Sequence, residues 1–163
     1  RYLMGVGYPL DLIVCTSLGV DMYDCVYPTR TARFGVALVP GPSPGTLKLK
    51  SHVCATQNEI MQQGCLCPAC TRGVTRARIH ALLTSQNTLA VQLLTQHNVV
   101  YMMKLVNDMR QAVLDQTFPT FVRTFIQDQF RGGEDGQAIP QWVQEALQEA
   151  GISLQDQPPQ EEE

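Results

Sequence analysis

Hydrophobic positions along the chain change period several times, and each change predicts an element. Residues 1–7, RYLMGVG, form an apolar run that predicts a short buried strand, with Gly5 and Gly7 allowing close backbone approach. Pro9 can open a helix, and Leu10, Ile13, Val14 and Leu18 recur at helical spacing until Gly19 stops it. Val20 to Tyr27 reads as a second strand closed by Pro28. Strand, helix, strand in that order predicts a βαβ unit with parallel strands and a right-handed crossover. One such unit cannot close a sheet, so the expected setting is the end of a larger α/β barrel.

From Ala37 to Lys50 two β-prone runs flank the turn-rich GPSPG at residues 41–45, which predicts a hairpin. Residues 51–64 show no clear period. Val74 to Thr84 has helical spacing, with Ile79, Leu82 and Leu83 on one face. From Asn98 to Leu114 the apolar set Met102, Leu105, Val106, Met109 and Val113 follows a 3.6-residue period, and core packing is the plain reading of that Met-rich stripe. Phe118 to Phe130 continues as helix, and Arg131 to Ala138 reads as a Gly-rich linker. Gln141 to Ala150 predicts a short amphipathic helix with Trp142 and Leu147 facing inward. The last ten residues are polar and acidic, and are expected to be disordered. The corresponding division is residues 1–50, 51–130 and 131–163: barrel end, cysteine-bearing subdomain with its helices, and linker with a last helix and tail.

Composition constrains this picture only loosely. Apolar residues make up 44% and charged residues 17% of the 163, as in ordinary globular domains. No apolar run approaches the roughly 18 residues needed to span a bilayer. The chain opens on Arg1 inside a strand-like run, so residues are expected upstream of it. Net charge is −3, yet Asp156, Glu161, Glu162 and Glu163 sit in the tail, and without them the balance is +1. Basic residues gather at Arg30, Arg33, Lys48 and Lys50, and again at Arg72, Arg76 and Arg78. Local patches govern phosphate binding, so overall charge neither supports nor excludes a nucleic acid.

Cysteine spacing is more informative. Cys65, Cys67 and Cys70 lie too close together to pair comfortably with one another as disulfides, and a reducing compartment with a metal site is the better reading. Zinc takes four ligands in a tetrahedron, and C-L-C-P-A-C supplies three soft ones if a fourth arrives from elsewhere. Among His52, His80 and His97, the last two fall on predicted helices, and spacing alone does not choose between them. A closed Cys₃His site has no open position and would be structural. An iron–sulfur centre is the alternative, though no fourth thiolate is obvious. Cys15 and Cys54 read as small buried hydrophobes.

The run D-M-Y-D-C-V-Y-P-T-R-T-A-R at residues 21–33 brackets a strand with Asp21 and Asp24 and continues into a turn carrying Arg30 and Arg33. In parallel α/β barrels, catalytic groups sit at C-terminal strand ends. A carboxylate there can attack a sugar carbon if a second carboxyl group handles protons. The two arginines are placed to grip phosphates or read a base edge. A strand-capping aspartate with solvated arginines would have the same sequence.

Taken together, RYLMGVG at 1–7, GVDMYDCVYPTRTARFG at 19–35, CLCPAC at 65–70 and TQHN at 95–98 resemble the tRNA-guanine transglycosylase family, over about the first 115 residues. TARFG and the tail IPQWVQEALQEAGISL are most similar to the eukaryotic, queuine-inserting catalytic branch. The resemblance implies an irregular (β/α)₈ barrel, of which this chain supplies the last two strands plus an inserted zinc subdomain and C-terminal helices. It implies Asp24 as nucleophile at C1′ of the wobble-position guanosine of tRNA, expelling guanine and leaving a covalent RNA ester that queuine displaces. It implies Met4 packing on the base and Gly5 leaving room beside it. RNA contacts would come from Met4, Gly5, Val6, Gly7, Tyr8, Pro9 and Leu10, and from Pro28, Thr29, Arg30, Thr31, Ala32 and Arg33.

The same resemblance selects His97 as fourth ligand beside Cys65, Cys67 and Cys70, with one structural zinc per chain. Its implied partners are the tRNA anticodon loop, guanine or queuine, and a non-catalytic homologous subunit forming a heterodimer, with no DNA. The implied location is cytoplasmic, with peripheral attachment to the mitochondrial outer membrane as a variant. The general acid/base aspartate and most of the base pocket would lie upstream of Arg1, so the chain alone is expected to be inactive. Alternatives are a non-catalytic partner subunit of the family, which would lack the nucleophile, or a bacterial-type enzyme inserting a queuosine precursor.

Overall fold

The computed structural model describes residues 1–41, 45–131 and 138–154. Strand β1 (Tyr2–Met4) runs parallel to β2 (Met22–Asp24), and helix α1 (Pro9–Ser17) connects them, so the expected βαβ unit is present. Pro9 stands in the first turn of α1, where a missing N–H costs nothing. Gly19 ends the helix in a left-handed conformation at φ +91°, with its N–H on the Thr16 carbonyl and that of Val20 on Cys15. The register sets Met4 beside Asp24. β1 is not the buried strand that its apolar run predicts. Tyr2 and Met4 are exposed, because among the described residues no second layer covers that face, and only Leu3 and its partner Tyr23 turn toward the protein.

A second correction follows β2. The strand stops at Asp24, and Pro28 does not close it; Pro28 sits in the first turn of helix α2 (Tyr27–Arg33). Proline favours that position over a strand end, since its φ is already helical. Arg30 and Arg33 therefore project from a helix, not from a turn. Strands β3 (Val36–Leu38) and β4 (Thr46–Lys48) then pair antiparallel with Ala37 opposite Leu47, as the hairpin pattern predicts; residues 42–44 of its turn lie outside the described residues.

The segment without a period holds a 3₁₀ turn, His52–Thr56. Helices α3 (Pro68–Thr71), α4 (Arg76–Thr84), α5 (Thr88–Leu114), α6 (Phe118–Phe130) and α7 (Gln141–Glu149) follow. Helix α5 starts at Thr88, well before the predicted Asn98, because the Asn87 side chain caps it by accepting the Leu89 N–H at 2.9 Å. Its buried stripe runs Met102, Leu105, Met109, Ala112, while Val106 and Val113 are 37% and 52% exposed. At about 100° per residue both valines fall on one edge of that stripe, away from its centre. In α7 the inward residues are Val143 and Leu147, one helical turn apart, and Trp142 is 48% exposed. One apolar core surrounds the cysteines; another joins α1, α5, α6 and α7. The linker and tail expectations fall largely on residues 132–137 and 155–163, outside the described residues.

A candidate metal centre and an aspartate-bearing strand end

The three cysteines bend around a short helix start. Cys67 is the N-cap of α3, and its Sγ accepts the Cys70 N–H at 3.3 Å; Cys65 Sγ lies 3.5 Å from the Cys67 N–H. Backbone donors aimed at sulfur favour thiolates. The fourth member comes from the long helix α5: His97 Nδ1 lies 3.5, 3.4 and 3.6 Å from the sulfurs of Cys65, Cys67 and Cys70. A tetrahedral ion with bonds of about 2.3 Å to sulfur and about 2.05 Å to nitrogen separates those atoms by about 3.6 Å. The observed edges match, and all four ligand atoms lie within 4.8 Å of one another.

Chemistry agrees with geometry. The ring's far nitrogen, Nε2, is 2.8 Å from the Leu38 carbonyl and donates to it, so Nδ1 turns a lone pair to the cysteines. Burial holds His97 below the usual histidine range, opposed by that carbonyl, so the imidazole is neutral as a ligand must be. Burial pushes the Cys65 thiol up and the Cys70 thiol up to about 12, so without a cation these groups hold their protons. Four buried ligands, three of them soft, fit a closed structural zinc. His80 is elsewhere: its Nδ1 is 2.8 Å from the Leu49 carbonyl. Of the other cysteines, Cys54 is buried as expected, whereas Cys15 is only half-buried.

Asp24 ends β2 and is exposed. Its Oδ1 accepts from the Tyr2 hydroxyl at 2.7 Å and from the Gly5 N–H at 3.2 Å, while Oδ2 has no partner among the described residues. Hydrogen bonding to that carboxylate raises the Tyr2 phenol, which therefore stays a donor. Gly5 reaches Asp24 through a left-handed φ of +75°, which glycine adopts without strain. Beside it opens a cleft of about 320 Å³ lined by Gly5, Tyr8, Cys25, Tyr27, Arg30 and Phe34. The Tyr8 and Tyr27 rings stand 4.2 Å apart at 34°. Gly7 is buried under Cys25: a Cβ there would meet its Sγ at 2.0 Å.

The predicted RNA-facing residues divide by burial. Met4, Gly5, Tyr8, Arg30 and Arg33 are exposed; Val6, Pro9, Leu10, Thr29 and Thr31 are half-buried; Gly7, Pro28 and Ala32 are buried and can only shape the backbone. Tyr2, Cys25, Tyr27 and Phe34 join the site without having been singled out. Tyr2 carried no signal, since only the strand register brings it to Asp24. Asn98 was also missed, because its side-chain partners lie 60 or more residues away and no local pattern marks them.

Residues 1–131 match the family model described as queuine tRNA-ribosyltransferase. The chain is 41% identical over 160 residues to the queuine tRNA-ribosyltransferase catalytic subunit of Schizosaccharomyces pombe, covering 94% of this chain and 38% of that protein. It is 35% identical over 164 residues to the protein of the same name from Caenorhabditis elegans, covering 94% and 40%. With the queuine tRNA-ribosyltransferase of Thermus thermophilus it shares 41% identity over 152 residues, covering 93% and 37%. The chain thus spans about two fifths of the length of the curated relatives it matches.

Proposed function

The chain belongs to the queuine tRNA-ribosyltransferase family, and from that premise we propose that it carries the nucleophile and an RNA-gripping helix of an enzyme that exchanges guanine for queuine in tRNA. The carrying observation is the presentation of Asp24. Two donors hold Oδ1 at the end of a parallel strand, Oδ2 has no partner among the described residues, and the neighbouring Gly5 and Cys25 line a cleft that also holds Tyr8, Tyr27, Phe34 and Arg30.

In the proposed reaction Oδ2 attacks C1′ of the target guanosine; the C1′–N9 bond breaks and guanine departs with that electron pair, taking a proton from a second carboxyl group that acts as general acid. The resulting ester joins Asp24 to the ribose. Attack by a ring nitrogen of queuine on C1′, with loss of its proton, breaks the ester and restores the carboxylate, with overall retention. Arg30 and Arg33 meet the flanking anticodon-loop nucleotides, and the target base leaves its stack to reach Asp24. Met4, paired with Asp24 in the register, packs on that base. The zinc supplies no chemistry; it ties the cysteine knuckle to α5.

The β1–α1–β2 unit is consistent with the last two strands of a (β/α)₈ barrel, and we place it there. A heterodimer with a non-catalytic homologous subunit, in the cytoplasm, completes the proposal. Asp24→Asn in the full-length protein tests it: the denaturation-resistant RNA adduct is expected to disappear, and an adduct that survives would refute the assignment.

A further inference from the structure

We propose that Asn98 is a positioning residue for RNA: it fixes α2, and with it Arg30 and Arg33, to the metal-bearing helix α5. The inference rests on the reading of α2 as an RNA-facing helix.

His97 and Asn98 are consecutive on α5, and both are fully buried. They divide the two backbone polar groups of one residue, Leu38, between them. Asn98 Oδ1 accepts the Leu38 N–H at 2.8 Å, and His97 Nε2 donates to the Leu38 carbonyl at 2.8 Å. Along β3 these two side chains meet peptide groups that a third strand would otherwise take. Asn98 then reaches further. Its Nδ2 lies 3.0 Å from the Pro28 carbonyl, 3.1 Å from Thr31 Oγ1 and 3.0 Å from the Val36 carbonyl. One amide therefore joins three elements: α5, β3 and α2.

The α2 end of this network is specific. Thr31 Oγ1 donates into its own helix, to the Tyr27 carbonyl at 2.7 Å, with the Pro28 carbonyl at 3.1 Å, which leaves its lone pairs to receive Asn98. The Thr31 rotamer is locked from both sides. Arg30 and Arg33 are three residues apart on the exposed face of the same helix. A helix of seven residues is too short to hold itself, so its position comes from what it packs on. Here that is the burial of Pro28 and Ala32 and the Asn98 amide. A rigid tie matters because displacement of about 1 Å at groups that orient a substrate costs on the order of a hundredfold in rate.

A double-mutant cycle on the full-length zinc-loaded protein tests this, with an anticodon stem-loop RNA as the probe. Arg30→Ala is expected to weaken binding about tenfold in the native background, the effect of losing one charge-assisted contact, and less than about twofold when Asn98 is already alanine. Zinc content stays at one per chain in all four proteins, because no ligand changes. Thr31→Val, which opens no cavity, gives a second route if Asn98→Ala does not fold, and it too reduces the Arg30→Ala effect. Val143→Ala, a core change on α7, leaves that effect at tenfold. If Arg30→Ala costs tenfold in every background, Asn98 is only a satisfied core amide and the proposal is overturned. If Arg30→Ala costs nothing in the native protein, the RNA-facing reading of α2 fails and takes the proposal with it.

Discussion

Replacing His97 by alanine removes the only nitrogen ligand from a buried four-ligand set, and the size of the effect follows from what the ring touches. Structural zinc contributes an apparent ~10–16 kcal/mol, so an even share for one ligand of four is about 2.5–4 kcal/mol, or roughly 70- to 900-fold in affinity. The Leu38 carbonyl also loses its donor inside the protein, which costs about 1–3 kcal/mol more. Together these approach the ~5–15 kcal/mol that holds a typical domain folded. The comparison is His80→Ala. His80 is half-buried and bonds a single carbonyl, that of Leu49, so its loss should cost about 1 kcal/mol and no metal. Elemental analysis after dialysis against a mild chelator should read about one zinc per chain for the native protein and for His80→Ala. His97→Ala should read close to none and melt far lower. A His97→Ala protein that keeps its zinc, or a His80→Ala protein that loses it, would refute the ligand assignment.

Zinc uptake near neutral pH should release at least two protons, because burial keeps the Cys65 and Cys70 thiols protonated without metal, and none from His97, which burial keeps neutral. Calorimetry in buffers of different ionisation enthalpy counts them, and a count below two would contradict this. The sign of the pH dependence follows from His97, whose native pKa is lowered: as pH falls below the ordinary value near 6.5 the unfolded chain gains a proton that the native state refuses, and stability is lost. Gly7→Ala would place a Cβ 2.0 Å from Cys25 Sγ and 2.4 Å from its Cβ, so it should cost about 1–3 kcal/mol and slow adduct formation at the neighbouring Asp24; Gly7→Ala with Cys25→Gly should recover part of both. Equal melting and adduct rates for Gly7→Ala and native protein would contradict that packing. Gln116 ends α5 at φ +57°, and Gln116→Gly should stabilise by about 0.5–1 kcal/mol, raising Tm by roughly 1–4 °C. A lower Tm would show that the glutamine side chain holds that turn.

That last position also shows why some boundaries were not legible. Helix α1 ends on Gly19, and the sequence announces the stop. Helices α4 and α5 end in the same hydrogen-bond pattern, with Gln86 and Gln116 in the left-handed position and the following N–H groups bonded back to Leu82 and Ala112. Glutamine gives no such warning, because tertiary packing overrides its preference. Trp142 misled by size: hydrophobic mass suggested burial, but helical phase places Val143 with Leu147. The three cysteines were legible because metal ligands on adjacent residues carry their geometry in their spacing. The fourth ligand was legible only through the family resemblance at TQHN, since His80 and His97 are both helical and spacing alone does not show which ring turns to sulfur. Pairing Tyr2 with Asp24 across the parallel register, and Asn98 with α2, depends on contacts between distant residues that no local pattern encodes.

The account's central claim is that Asp24 forms the bond to RNA. The full-length protein is incubated with a guanosine-containing anticodon stem-loop, denatured, and digested with nuclease and protease; mass spectrometry then locates the ribonucleotide remnant. It is expected on the peptide carrying Asp24, with fragment ions placing it on that residue. A remnant on Asp21 or on any other carboxylate would contradict the account.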